Sequence, residues 1–334
     1  VPGWDGKCLY VWFEAVIGYF SASVEWSKNN GRPEAWKDWW YDPAAKTVYF
    51  IGKDNIPFHA IIWPAELLGL ERLYEADPAK RLNLPYDVPA NEFLNLEGQK
   101  ISGSRNWAVW GLDFLSRYDP DPLRYYLTAI LPESKDADWD WADFLQHNNN
   151  ELVATWGNLA NRVLTFAHKH WDGKVPDPGD LRPADQELLA RIEAGFATVG
   201  GLIEAVKLRA ALAEVVALAT EANRYLDAQG PWFQVKQDKA EAARSIYTAL
   251  RAIDSLKTLF APFLPFTSQR LHEQLGHAGR LFGQQRIETY AEATRSHSAL
   301  TYDPADAIGR WAPSDLRPGQ PLGQPAPLFK KLDD

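Results

Sequence analysis

The sequence predicts an α/β region followed by an all-α, antiparallel helical bundle. Three observations carry this reading. Up to about residue 115, short apolar runs alternate with helical patterns and turn signals, and strands separated by helices imply a mostly parallel sheet. Beyond Trp141 the apolar spacing becomes i, i+3, i+4 over long stretches. Between the two, Asp119, Pro120, Asp121 and Pro122 punctuate the chain.

In chain order, the apolar run LYVWF predicts a first strand over residues 8–13, followed by Gly18 and a polar stretch holding Trp36, Trp39 and Trp40. The segment VYFIGKDNIPFHAIIWPA, residues 48–65, reads as a short buried strand, a polar turn (Gly52, Lys53, Asp54, Asn55) and a helix with Pro57 in its first turn. Residues four apart share a helix face, so His59 and Trp63 point together. In an open α/β sheet, ligands bind beyond the carboxyl ends of the strands; simple core filling accounts for the same pair. A turn-rich stretch, residues 78–91, leads to a strand over 92–96 and the loop sequence EGQKISGSRNWAVW. LRYYLTAIL then predicts a helix. Four long amphipathic segments follow, beginning at Asp143, Ala184, Leu208 and Ala240, with breaks near 176–183, at Gly230-Pro231 and at 262–265. The Pro-, Gly- and Gln-rich end, residues 276–334, is expected to pack back on the body as extended chain. The expected domains are 1–118, 119–142, 143–275 and 276–334.

A chain of 334 residues with 46% hydrophobic content suits two or three domains with real cores. The apolar run after Ile61 is broken by Pro64 and Glu66, short of a membrane span, and no signal peptide is read. Cys8 is the single cysteine, which excludes an intramolecular disulfide and a cysteine-based zinc site within the chain; a cytoplasmic setting is expected. A net charge of −9 argues against diffuse nucleic-acid binding, yet allows a few unstacked bases to be read by aromatic and hydrogen-bonding side chains. Nothing in the composition explains the absence of methionine.

Two further patterns bear on chemistry. The loop 97–105 holds Lys100, Ile101, Ser102, Gly103 and Ser104 just after a strand, an arrangement suited to phosphate contact or to a plain solvated turn. WGNLANR places Trp156, Asn158 and Arg162 on neighbouring helical turns, with Asn158 and Arg162 on one face, and Trp232 follows the Gly230-Pro231 break.

Taken in series, GKDN, the helix with His59 and Trp63, the KISGS loop, LRYYL and the bundle resemble the class I aminoacyl-tRNA synthetases, and among them the methionyl-tRNA synthetase family. KISGS, residues 100–104, matches the family's KMSKS loop. YVWFEAVIGY, residues 10–19, resembles its YVWxDAPIGY block, and ANRYLDAQGPW, ending at Trp232, its bundle signature. The resemblance runs over essentially the whole chain. It implies the C-terminal half of a Rossmann-type catalytic domain followed by an anticodon-binding bundle. It assigns methionine contacts to Trp12, Ala15, Tyr19, Asn55, His59 and Trp63, and ATP contacts to Gly52, Asp54 and Lys100. It likewise makes Lys100, Ser102 and Ser104 the catalytic loop and assigns the reading of the anticodon CAU to Asn158, Arg162 and Trp232. The implied reaction activates methionine with ATP and Mg²⁺ to methionyl-adenylate and transfers it to tRNA(Met).

Three positions depart from the family pattern. Gly103 replaces the second lysine of the loop, Val16 a proline and Glu14 an aspartate. Neither an HxGH-type motif nor a cysteine knuckle is found. The chain is therefore expected to be a C-terminal portion, catalytically incomplete alone, with a missing N-terminal half as partner. Two alternatives stand beside this: a non-catalytic tRNA-binding protein, and a class I relative charging Leu, Ile, Val or Cys. The aromatic pocket and the WGNLANR and GPW matches speak against the second.

Overall fold

A computed structural model describes residues 3–70, 72–75, 77, 79–291 and 294–333. The chain divides into two compact units, each treated by itself.

One unit takes the chain up to Phe93 together with Pro132–Ala137 and Tyr290–His297. It begins with α1 (Val11–Ala15), α2 (Gly18–Asn29) and α3 (Lys37–Trp40). The strand expected over 8–13 is thus corrected: residues 11–15 are helical. Strand propensity of aromatic and branched residues reports fit to a packed surface, and here the surface is another helical turn, on which Trp12 stacks through Phe58 at 4.4 Å. β1 (Ile51–Gly52) pairs in parallel with β2 (Ala90–Asn91), Ile51 opposite Ala90, and a parallel bridge joins Val48 to Asp87. Tyr49 and Ile51 face inward while Phe50 is 59% exposed, so the strand expected to be buried is half-buried. After β1 come a 3₁₀ turn (Lys53–Asn55), a π-helical turn (Phe58–Ile62) and α4 (Trp63–Leu70). The core gathers Val16, Phe20, Trp36, Trp40, Tyr49, Ile51, Trp63 and Leu67. Pro78, at the head of the turn-rich stretch, lies outside the described residues.

Beyond β2 the expected strand over 92–96 begins only at Leu94, because the amides of Glu92 and Phe93 bond instead to Pro132 O and the Asp136 carboxylate. β3 (Leu94–Leu96) and β4 (Gln99–Lys100) form an antiparallel hairpin, with β5 (Ala137–Trp139) on the other side of β3. Glu97 and Gly98 close it at φ 49° and 71°, the double left-handed geometry of a two-residue type I′ turn. Asp138 anchors the turn by accepting from Gly98 N at 2.8 Å.

In the second unit α5 (Gly111–Leu115), α6 (Pro120–Ala129) and α7 (Trp141–Gln146) pack with these strands around Leu96, Phe114, Tyr126, Trp139 and Phe144. A π-helical run (His147–Gly157) continues into α8 (Asn158–Trp171). Then follow α9 (Pro183–Glu204), α10 (Leu208–Gln229), α11 (Pro231–Gln237), α12 (Lys239–Phe260) and α13 (Pro265–Gln274). α12 is the central helix, buried along nearly its whole length and packed on α8, α9 and α10. Arg182, at the start of α9, ties it to α12 by donating to Asp185, Glu241 and Ser245. In the chain's end, β6 (Gln284–Ala291) and β7 (Ser296–Asp303) pair with each other, a strand pairing that the expected extended course did not specify. Further on, Leu316, Leu322, Leu328 and Phe329 insert into the bundle core. No helix among the described residues is long and apolar enough to cross a membrane.

Candidate functional site

The first unit brings Tyr19, His59 and Trp63 together. His59 is 2% exposed and Trp63 1%. A carbonyl oxygen only accepts, so the 3.0 Å contact between Asn55 O and His59 Nδ1 places the proton on Nδ1. Nε2 is then the acceptor for the Tyr19 hydroxyl at 2.8 Å. Trp63 donates its indole N–H to the Tyr49 hydroxyl at 2.9 Å, and Tyr19 meets Tyr49 edge-on at 4.9 Å. Burial pushes the Tyr49 hydroxyl above its usual range. Tyr49 and Phe58 were not singled out from the sequence; the inward parity of Tyr49 on its strand was the available signal. Trp63 is a core residue beneath Tyr19, whereas Tyr19 is 43% exposed. Trp12 is half-buried against Phe58, and Ala15, one turn further, is exposed.

At the carboxyl end of β1, Asp54 is exposed and Asn55 half-buried. A Cβ built on Gly52 would meet nothing within 4 Å, so no packing among the described residues requires glycine there. An open, Cβ-free position beside an exposed carboxylate fits the approach of a nucleotide. Nearby, Lys53 pairs with Glu92 and, at 3.7 Å, with Asp136. Glu66 lines an open apolar pocket with Leu9, Tyr10, Phe13 and Ile61. Both its carboxylate oxygens are buried without a hydrogen-bond partner among the described residues, and burial raises its pKa.

In the second unit the KISGS segment forms a closed turn. Ser102 and Trp107 exchange backbone bonds at 2.9 Å, and Asn106 N reaches Gly103 O at 3.1 Å with Asn106 at φ 53°. The hydroxyls of Ser102 and Ser104 lie 3.2 Å apart. Lys100 is exposed, and Arg105 donates to the Lys100 carbonyl at 3.0 Å.

At the bundle, Gly230 takes a left-handed φ of 54° and Pro231 starts α11, which sets Trp232 in that helix's first turn. The Arg162 guanidinium lies over the Trp232 ring at 4.6 Å and 3.3 Å from Asp227. Trp232 is half-buried, and its neighbour Phe233 is 67% exposed. Asn158 is exposed one turn before Arg162. Trp156 is core, packed on Phe260 at 4.8 Å. Gly157 has a packing reason, since a Cβ there would come within 3.1 Å of Phe329.

Among the described residues, Asp254, His277 and Asp315 bring donor atoms within 4.8 Å of one another. Asp254 already accepts from Lys257 at 2.6 Å, so an ammonium balances this carboxylate.

Two family profiles match the chain in succession. The one described as "tRNA synthetases class I (M)" covers residues 1–164, and "Anticodon binding domain of methionyl tRNA ligase" covers residues 175–301. A methionine–tRNA ligase of Thermomicrobium roseum is 57% identical over all of this chain, and one of Roseiflexus castenholzii 53%. The chain spans 56% of the length of each. A Mycobacterium tuberculosis methionyl-tRNA synthetase solved in complex with methionyl-adenylate superposes on 98% of the chain with a TM-score of 0.76 at 26% identity; the match takes in 57% of that protein. The fold, the two successive profiles and the identity along the entire sequence place this chain in the methionyl-tRNA synthetase family, as a class I catalytic-domain segment followed by an anticodon-binding domain.

Proposed function

We propose that the chain supplies the methionine-pocket wall, the KMSKS-like loop and the anticodon-reading bundle of a methionine–tRNA ligase. The observation that carries this is the Tyr19–His59 pair over buried Trp63 and Tyr49. A thioether is favoured against such rings by about 0.3–1.5 kcal/mol per contact. Trp12, Ala15 and Asn55 complete the wall. His59 donates to Asn55 O and accepts from the Tyr19 hydroxyl, so one hydrogen-bond chain orients both side chains.

In the first unit Gly52 and Asp54 are assigned to the ribose of ATP, brought with Mg²⁺ as the nucleotide's own counterion; in the second, Lys100, Ser102 and Ser104 are assigned to phosphate oxygens. The methionine carboxylate attacks the α-phosphate, pyrophosphate leaves, and a terminal ribose hydroxyl of tRNA(Met) then takes the methionyl group. No protein nucleophile is needed; the side chains position substrates and offset charge. In the bundle, Arg162 over the Trp232 ring offers a stacking platform, and Asn158 a hydrogen-bonding edge, for the unstacked bases of CAU. Residues 1–118 then form the partial catalytic domain, 119–142 a stem-contact region, 143–275 the anticodon domain and 276–334 the returning tail, in a cytoplasmic protein.

Methionine-dependent ATP–pyrophosphate exchange tests this reading. The purified chain alone is expected to give none. Adding in trans the N-terminal portion of the Thermomicrobium roseum relative is expected to restore exchange with methionine and not with Leu, Ile, Val or Cys. Failure of that restoration, with tRNA binding retained, supports the second reading, a non-catalytic tRNA-binding protein. Gly103 in the lysine position is the observation that favours it.

A further inference from the structure

We infer that Arg105 is the second phosphate-binding cation of the 100–107 loop, standing in for the charge that Gly103 does not carry. The inference rests on the loop acting on ATP phosphates as proposed above. Its basis is geometric. The Ser102–Trp107 backbone pair closes a tight turn, and within it Arg105 Nη2 bonds to the Lys100 carbonyl at 3.0 Å. That bond fastens the guanidinium at the residue that carries the first cation, and both residues are exposed. The Ser102 and Ser104 hydroxyls, 3.2 Å apart, lie on the segment between the two cations. Only one of the guanidinium's five N–H donors is committed to the carbonyl, leaving a fork suited to phosphate oxygens. A Cβ at Gly103 would meet only Trp110 Cη2 at 3.7 Å, an ordinary contact. A side chain there is sterically allowed, so packing does not explain the missing lysine.

A purely structural role for Arg105, pinning the turn, makes a different forecast, and a charge-relocation experiment separates the two. The probe is inorganic tripolyphosphate, titrated calorimetrically into the whole chain. Arg105→Ala and Lys100→Ala are each expected to weaken binding roughly tenfold, the loss of one charge-assisted contact. The double variant Arg105→Ala/Gly103→Lys is expected to return to within about threefold of the parent, since the charge is restored while the Lys100 carbonyl bond is not. In the complemented exchange assay the same pattern should fall mainly on kcat. Loss in Arg105→Ala that Gly103→Lys leaves unrepaired makes Arg105 a positioning residue and overturns the inference. Loss in Lys100→Ala with none in Arg105→Ala also overturns it, while leaving the loop's role intact. No loss in either variant removes the phosphate reading of the loop itself.

Discussion

Acidification of the bundle should expose the cost of its buried polar cluster. Asp254, Lys257 and His272 are 3%, 4% and 4% exposed. Lys257 donates to Asp254 Oδ1 at 2.6 Å and to His272 Nδ1 at 3.2 Å, and His277 Nε2 lies 2.8 Å from the same Asp254 oxygen. The His272 and His277 rings stack at 4.7 Å, and Arg310 and Asp315 line the same cavity of about 480 Å³. Burial first, then the Lys257 charge, lowers the His272 pKa from 6.5 to about 4. Burial works against the charged form of Asp254, yet His277 and Lys257 outweigh it and hold that carboxyl well below the usual range. Between pH 6.5 and 4 the unfolded His272 is protonated and the folded ring is not. The unfolded state therefore binds more protons, and stability falls as pH falls. From 6.5 to 5.0 the shift is worth about 2 kcal/mol at 1.36 kcal/mol per pK unit; Asp254 adds its own loss only below its ordinary carboxylate range. Urea unfolding at pH 7.5 and 5.0 reads this directly. The parent should lose about 2 kcal/mol more on acidification than His272→Gln. Equal acid losses in the two proteins would falsify the neutral, buried assignment of His272.

Other perturbations follow from the same structure. Tyr19→Phe removes the donor to His59 Nε2, and leaving a buried acceptor unpaired should cost about 1–3 kcal/mol in the melting of the chain; in complemented exchange it should also raise KM for methionine. An unchanged melting curve would mean that His59 is satisfied elsewhere. Glu66→Leu should raise stability by about 1–3 kcal/mol, because a carboxylate with no partner among the described residues leaves an apolar pocket. A lower melting temperature would reveal a partner for Glu66. Asp121, 2% exposed, caps α13 by accepting from Thr267 N at 2.6 Å and from the Thr267 hydroxyl. Asp121→Ala should cost about 2–4 kcal/mol and Asp121→Asn less, measured by urea unfolding; equal costs would mean that the acceptor oxygen is not what matters.

The bundle was legible because its periodicity, its Pro breaks and the Gly230 turn all point the same way, and α6 to α10 and α12 stand where these patterns predict; α11 and α13, each starting at a proline where only a break was read, were not anticipated. The start of the chain was not. LYVWF has strand composition, but its packing partner is Phe58 on a helical turn, which no local pattern encodes. The β6–β7 hairpin was hidden in a tail read for its Pro and Gly content; β6 is exposed along most of its length and β7 alternates only between exposed and half-exposed residues, with Ile287 and Leu300 77% and 67% exposed. At the site, motif spacing found His59 and Trp63, while the roles of Tyr49, Phe58 and Arg105 depend on long-range bonds and a closed loop that only three-dimensional placement reveals.

The most direct test is the affinity of the purified chain for an anticodon stem-loop bearing CAU, compared with stem-loops changed at each of the three bases. The CAU loop should bind tightest, and each change should weaken binding by about 1–3 kcal/mol, roughly 5- to 150-fold. Trp232→Ala should erase that preference while Phe233→Ala, beside it and outside the Arg162 stack, spares most of it. Equal binding of all the loops by the folded chain would contradict an anticodon-reading bundle in this protein.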